Sequence, residues 1–78
     1  MRANRAYELK VHREGRLFRP SERLEHVEVV DIDTGEVALF WDTRPRETGK
    51  LARALRSDLA QMDAEGFMAK WRRYDGAH

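Results

Sequence analysis

Polar and apolar residues alternate along residues 7–11. Tyr7, Leu9 and Val11 fall on one side of an extended chain, and Glu8, Lys10 and His12 on the other. A period of two marks a half-buried strand. Glu14-Gly15 predicts a turn, since Gly accepts the positive φ of a tight hairpin. A short strand over residues 16–19 would return from it until Pro20 removes a ladder donor. Residues 21–25 are polar and fit a single helical turn at most. Residues 26–33, reading HVEVVDID, are rich in Val and Ile and fit a pleated surface.

Asp33-Thr34-Gly35 predicts a three-residue hairpin loop closed by a left-handed Gly. The return strand covers residues 36–41, with Val37, Leu39 and Trp41 on one face and Ala38 and Phe40 on the other. Asp42-Thr43 ahead of Pro45 predicts a capped helix start, with Thr48 near Gly49 as the alternative. Leu51, Leu55, Leu59 and Met62 then recur at helical spacing, opposite Arg46, Lys50, Arg53 and Ser57. Gly66 is expected to end that helix. Beyond it, Phe67, Trp71 and Tyr74 have the spacing of a short second helix, and residues 75–78 are expected to fray.

The fold expected is therefore α+β. It comprises a three- to four-stranded antiparallel sheet of hairpins, packed by one amphipathic C-terminal helix and a second short one, in a single domain over residues 1–78. With 78 residues the chain builds one small core. It has no Cys, which removes disulfides and thiolate metal sites. The opening MRANRAYELK lacks the apolar stretch of a secretory signal, and no window has the ~18 apolar residues of a membrane span, so a cytoplasmic protein is expected. Twelve of the fifteen basic residues are Arg, a bias that fits a GC-rich bacterial genome.

The net charge of +1 conceals a layout. Residues 1–23 carry +4, residues 24–43 carry −6 and residues 44–78 carry +3. Separate blocks of opposite sign suit association with a partner or a second copy.

Candidate chemistry is sparse. Asp31, Asp33 and Glu36 around Gly35 have the wrong spacing for a calcium loop and suit a solvated hairpin tip. Thr48-Gly49-Lys50 lacks the earlier Gly of a phosphate-binding loop. Glu8 and Lys10 share a strand face but lack the preceding acid of a metal-dependent nuclease, and a cross-strand ion pair explains them. His12, His26 and His78 are far apart and show no metal-ligand spacing, although His12 and His26 could be sheet neighbours. Ser21 and Ser57 lack a nucleophile elbow. A chain this short also has little room for a ligand pocket of about 300 Å³ or more. No catalytic, metal-binding or cofactor-binding residue is expected, nor a small-molecule substrate.

Two surfaces remain. If one helix covers one sheet face, Val30, Ile32 and Phe40, with Trp41 beside them, leave an apolar patch on the other that suits a protein partner or a homo-oligomer. The alternative is nucleic-acid binding through arginines. One basic group runs along the N-terminal strand (Arg2, Arg5, Lys10, Arg13, Arg16 and Arg19). The other joins Arg44, Arg46, Lys50 and Arg53 to Lys70, Arg72 and Arg73, interleaved with Trp71 and Tyr74. A sheet backed by a helix serves both kinds of protein, so the fold does not decide between them. The function expected is that of a small non-enzymatic accessory protein acting by binding, with a nucleic-acid module as the alternative.

Overall fold

A computed structural model describes residues 1–13 and 25–74. The turn expected at Glu14-Gly15, the strand over residues 16–19, the stop at Pro20, the polar segment up to residue 24 and the frayed end all lie outside them. The described elements run α1 (Ala3–Ala6), β1 (Tyr7–Arg13), β2 (Glu25–Asp31), β3 (Val37–Thr43), α2 (Pro45–Gln61) and α3 (Ala64–Trp71), and a 3-10 turn (Arg72–Tyr74) follows. The strands form one antiparallel sheet in the order β1-β2-β3. The α+β architecture read from the sequence is therefore present, with helices packed on a three-stranded sheet.

Alternation decides which side of the sheet is buried. Tyr7, Leu9 and Val11 align across β2 with Asp31, Val29 and Val27, which in turn align with Leu39 and Trp41 on β3. Leu55 and Leu59 from α2, with Phe67 and Trp71 from α3, close over this face. Burying each large apolar side chain of this kind contributes roughly 1.5–3 kcal/mol. The helices therefore supply much of the hydrophobic stabilisation.

Between β2 and β3 the hairpin connection spans residues 32–36, two residues longer than expected. Ile32 joins the turn, the Gly35 N–H reaches the Asp31 carbonyl at 2.8 Å, and Gly35 has φ 76°. Asp31 Oδ1 accepts the N–H groups of Asp33 and Thr34, at 2.9 and 3.2 Å. This local carboxylate–backbone bonding is what holds Asx turns together. Farther along, the register shifts between Val29 and Val30, so Ala38 is extra on β3 and Val37 aligns with Val30. A bulge of this kind changes the side on which a residue falls. Val37 thus leaves the Leu39–Trp41 face to which strict alternation assigned it.

The α2 start also differs from expectation. Neither Asp42 nor Thr43 is the cap; Arg44 occupies that position with an extended backbone, Pro45 follows as the first helical residue, and Glu47 Oε1 accepts the Arg44 N–H at 3.2 Å. Thr48 is a buried interior residue rather than a cap. Its hydroxyl donates to the Arg44 carbonyl at 3.1 Å, which leaves Thr43 as the donor in the 2.7 Å contact between the two hydroxyls.

Gly66 does not end α2 but lies inside α3. The break falls at Met62, which is extended (φ −97°, ψ 155°). A helix end leaves carbonyls without intrahelical partners. Here the N-terminal segment supplies the donors. Arg2 Nη1 donates to the Ala60 carbonyl and the Ala3 N–H to the Met62 carbonyl, both at 2.9 Å, while the Ala64 N–H donates back to Met1 at 2.8 Å. Residues from opposite ends of the described chain thus terminate one helix and start the next.

α3 confirms the helical spacing of the tail and settles where the aromatic residues go. Phe67 and Trp71 are buried, and Tyr74 in the following 3-10 turn is exposed. Trp71 meets Trp41 edge to face, with ring centroids 5.9 Å apart, and its indole N–H donates to Asp58 Oδ2 at 2.9 Å. Lys70 Nζ reaches the same oxygen at 2.6 Å. The Trp41 indole N–H donates to the Tyr74 carbonyl.

Two stability changes follow. Gly49 lies inside α2 with ordinary helical φ, and a Cβ added there meets nothing within 4 Å. Gly49→Ala is expected to raise the unfolding free energy by about 0.5–1 kcal/mol, measured by urea denaturation. Trp71→Phe keeps an aromatic ring but removes the donor to the half-buried Asp58. It is expected to lower stability by about 1–3 kcal/mol in the same measurement.

Candidate functional site

The sheet face opposite the helices gathers the residues of most chemical interest. Among the described residues, no helix crosses it, because α2 and α3 pack together on the other side. Along β1 this face carries Glu8, Lys10 and His12. Their cross-strand partners on β2 are Val30, Glu28 and His26. On β3, Asp42, Phe40 and Val37 align with His26, Glu28 and Val30.

The apolar patch expected here is only partly present. Val30 is on this face but just 7% exposed, and Phe40 is half-buried. Ile32 belongs to the hairpin turn and is 50% exposed. Trp41 does not belong to the patch: it points into the helix-covered core and is 8% exposed, because its register partner is the core residue Val27. Val37 takes its place, brought over by the bulge and 48% exposed.

Toward the end of this face where β1 stops and β2 begins lies a polar cluster that residue spacing did not reveal. His12 and His26 are direct Cα partners across β1 and β2, with rings stacked at 4.4 Å and 21° from parallel. Glu28, two residues beyond His26 on the same side of β2, joins them. Its Oε1 lies 3.1 Å from His12 Nε2, and its Oε2 lies 3.8 Å from His26 Nε2. Phe40 stacks on the far side of His26, with centroids 5.0 Å apart. All three members of the cluster are partly buried, and one donor atom from each lies within 4.8 Å of the others. Positions i and i+2 on one strand, together with a directly opposite residue, are nearest neighbours on a pleated surface. The only sequence signal was the presence of His12 and His26 on two strands that could pair.

The basic residues divide among several environments. Arg2 is taken up at the end of α2, and Arg13 Nη1 lies 3.6 Å from the buried carboxylate of Glu25. Arg5 and Lys10 are exposed, and Arg16 and Arg19 lie outside the described residues. Arg46, Lys50 and Arg53 form an exposed stripe on α2, with Arg44 just before it. Lys70 is paired with Asp58 and lies 5.2 Å from the Trp71 ring centroid. Arg72 and Arg73 are exposed in the 3-10 turn. Because Trp71 is buried, it is withdrawn from any role in stacking on bases.

Three other sequence candidates are explained by local structure, while Ser21 and His78 lie outside the described residues. Asp31 is engaged in its turn, Thr48-Gly49-Lys50 is continuous helix, and Ser57 accepts the Gln61 side-chain amide at 3.0 Å. A hollow of about 560 Å³ lies beside Tyr7, Met68, Arg72 and Arg73. It is larger than expected for so short a chain, but it is a broad surface depression. No helix among the described residues is long and apolar enough to cross a membrane. No family model, curated protein or solved structure matches the chain.

Proposed function

We propose that this is a non-enzymatic, cytoplasmic binding protein that associates through the helix-free face of its sheet, with a second copy of the chain as the partner. The observation that carries this reading is the packing of α2 and α3 on the same side of the sheet. Val37 is exposed beside its register partner Val30, Phe40 is half-buried on the same face, and Ile32 is exposed in the adjoining turn. Exposed apolar side chains grouped in this way are typical of interaction surfaces. The same face carries both signs of charge, with Lys10 on β1 and Glu8 and Asp42 at its edges. A copy related by a two-fold axis can set the cation of one molecule against a carboxylate of the other.

Light scattering coupled to size-exclusion chromatography is expected to give the mass of a dimer. Val37→Glu combined with Ile32→Asp alters only exposed side chains and is expected to return the protein to monomer while leaving its circular dichroism unchanged. A wild-type monomer at the highest soluble concentration would exclude self-association.

The exposed α2 stripe favours one second reading, in which Arg46, Lys50 and Arg53 contact nucleic-acid phosphates, with Arg44, Arg72 and Arg73 contributing. This reading predicts DNA affinity that falls steeply with salt, by about 0.9 log units per log unit of salt for each phosphate neutralised. A titration with duplex and single-stranded DNA checks it, and absence of binding at about 50 mM salt rules it out for DNA.

A further inference from the structure

We propose that His12, His26 and Glu28 form a binding site for a single divalent cation of the zinc class. The site does not require self-association, since all three ligands come from one chain, although it lies on the same face of the sheet. Two imidazole nitrogens and one carboxylate oxygen make a donor set that suits zinc and neighbouring transition metals, whereas magnesium and calcium prefer oxygen alone. A site with three protein ligands leaves a fourth position for water or an incoming group.

The distances are close to those required. Zinc–nitrogen and zinc–oxygen bonds of about 2.0–2.2 Å at a tetrahedral angle place two ligand atoms roughly 3.3–3.6 Å apart. The His12 Nε2–Glu28 Oε1 and His26 Nε2–Glu28 Oε2 separations are 3.1 and 3.8 Å. These two run to different oxygens of the carboxylate, and one donor atom of each residue lies within 4.8 Å of the others, so converging on one ion requires side-chain shifts of about an ångström.

The rings must also turn. In-plane lone pairs of two rings only 21° from parallel do not meet at one bond length, so metal binding opens the His12–His26 stack. Rotation about χ2 of His is soft, with a broad profile rather than three sharp wells. Backbone pairing meanwhile fixes the positions from which the three side chains start. Asp42, the β3 partner of His26, adds a carboxylate at the margin, and Lys10, the β1 partner of Glu28, offsets its charge.

Zinc titration of the untagged full chain by isothermal calorimetry provides the test. One Zn²⁺ per chain is expected. His12→Gln, His26→Gln and Glu28→Gln should each weaken binding by about tenfold or more, since even the outer partners of metal ligands commonly contribute that much. His78→Gln is expected to bind like the wild type, since the proposed site does not use His78. Imidazole nitrogen NMR of the wild type supplies a readout that does not depend on the variants folding: Zn²⁺ should shift the Nε2 resonances of His12 and His26 and leave His78 unmoved. Absence of zinc uptake, unchanged affinity in natively folded cluster variants, or shifts confined to His78 would each overturn the proposal.

Discussion

One carboxylate ties α2 and α3 into a single layer. Asp58 on α2 accepts the Trp71 indole N–H at 2.9 Å and the Lys70 ammonium at 2.6 Å, both from α3. Bonds of this sort to a charged acceptor are stronger than neutral ones, and here they form where Trp71 is also packed against Trp41 and Phe67. Because α3 is held beside α2, the tail aromatics add to the core that α2 has already begun. They are not available to cover the opposite face of the sheet, and that asymmetry underlies both the association reading and the proposed metal site.

The second constraint is the exchange of hydrogen bonds between the N-terminal segment and the α2–α3 junction. A helix that stops at Met62 without Gly or Pro leaves its terminal carbonyls in need of donors. Arg2 and Ala3 provide them. Ala3 is completely buried, so the interaction is part of the core rather than a loose surface contact. It also explains why the break between the two helices falls at Met62 rather than at Gly66. The stop depends on a partner about sixty residues earlier in the chain, although Asp63 ahead of Glu65 is a recognisable local start signal for α3.

On the helix-free face, the β1–β2 register turns an unremarkable set of residues into a cluster. Moving the register by one residue would send His12 to the other side of the sheet relative to its present partners. With the register as it stands, two imidazoles and a carboxylate share one patch, and Phe40 packs against one of the rings. Ala38 changes the neighbouring apolar surface in a similar way, since the bulge moves Val37 onto this face and leaves Trp41 in the core.

The order of residues along the chain was enough to identify β1, the β2–β3 hairpin with Gly35 at its turn, the leucine stripe of α2 and the helical tail. Each is encoded by neighbours within a few positions, through alternation, helical spacing or a backbone that tolerates positive φ. Tertiary structure decided where α2 stops, which side α3 covers, which side Val37 takes and that His12 meets both His26 and Glu28. Those outcomes depend on cross-strand alignment and on donors distant in the chain, and side-chain periodicity reports only which residues share a face, not what lies against it.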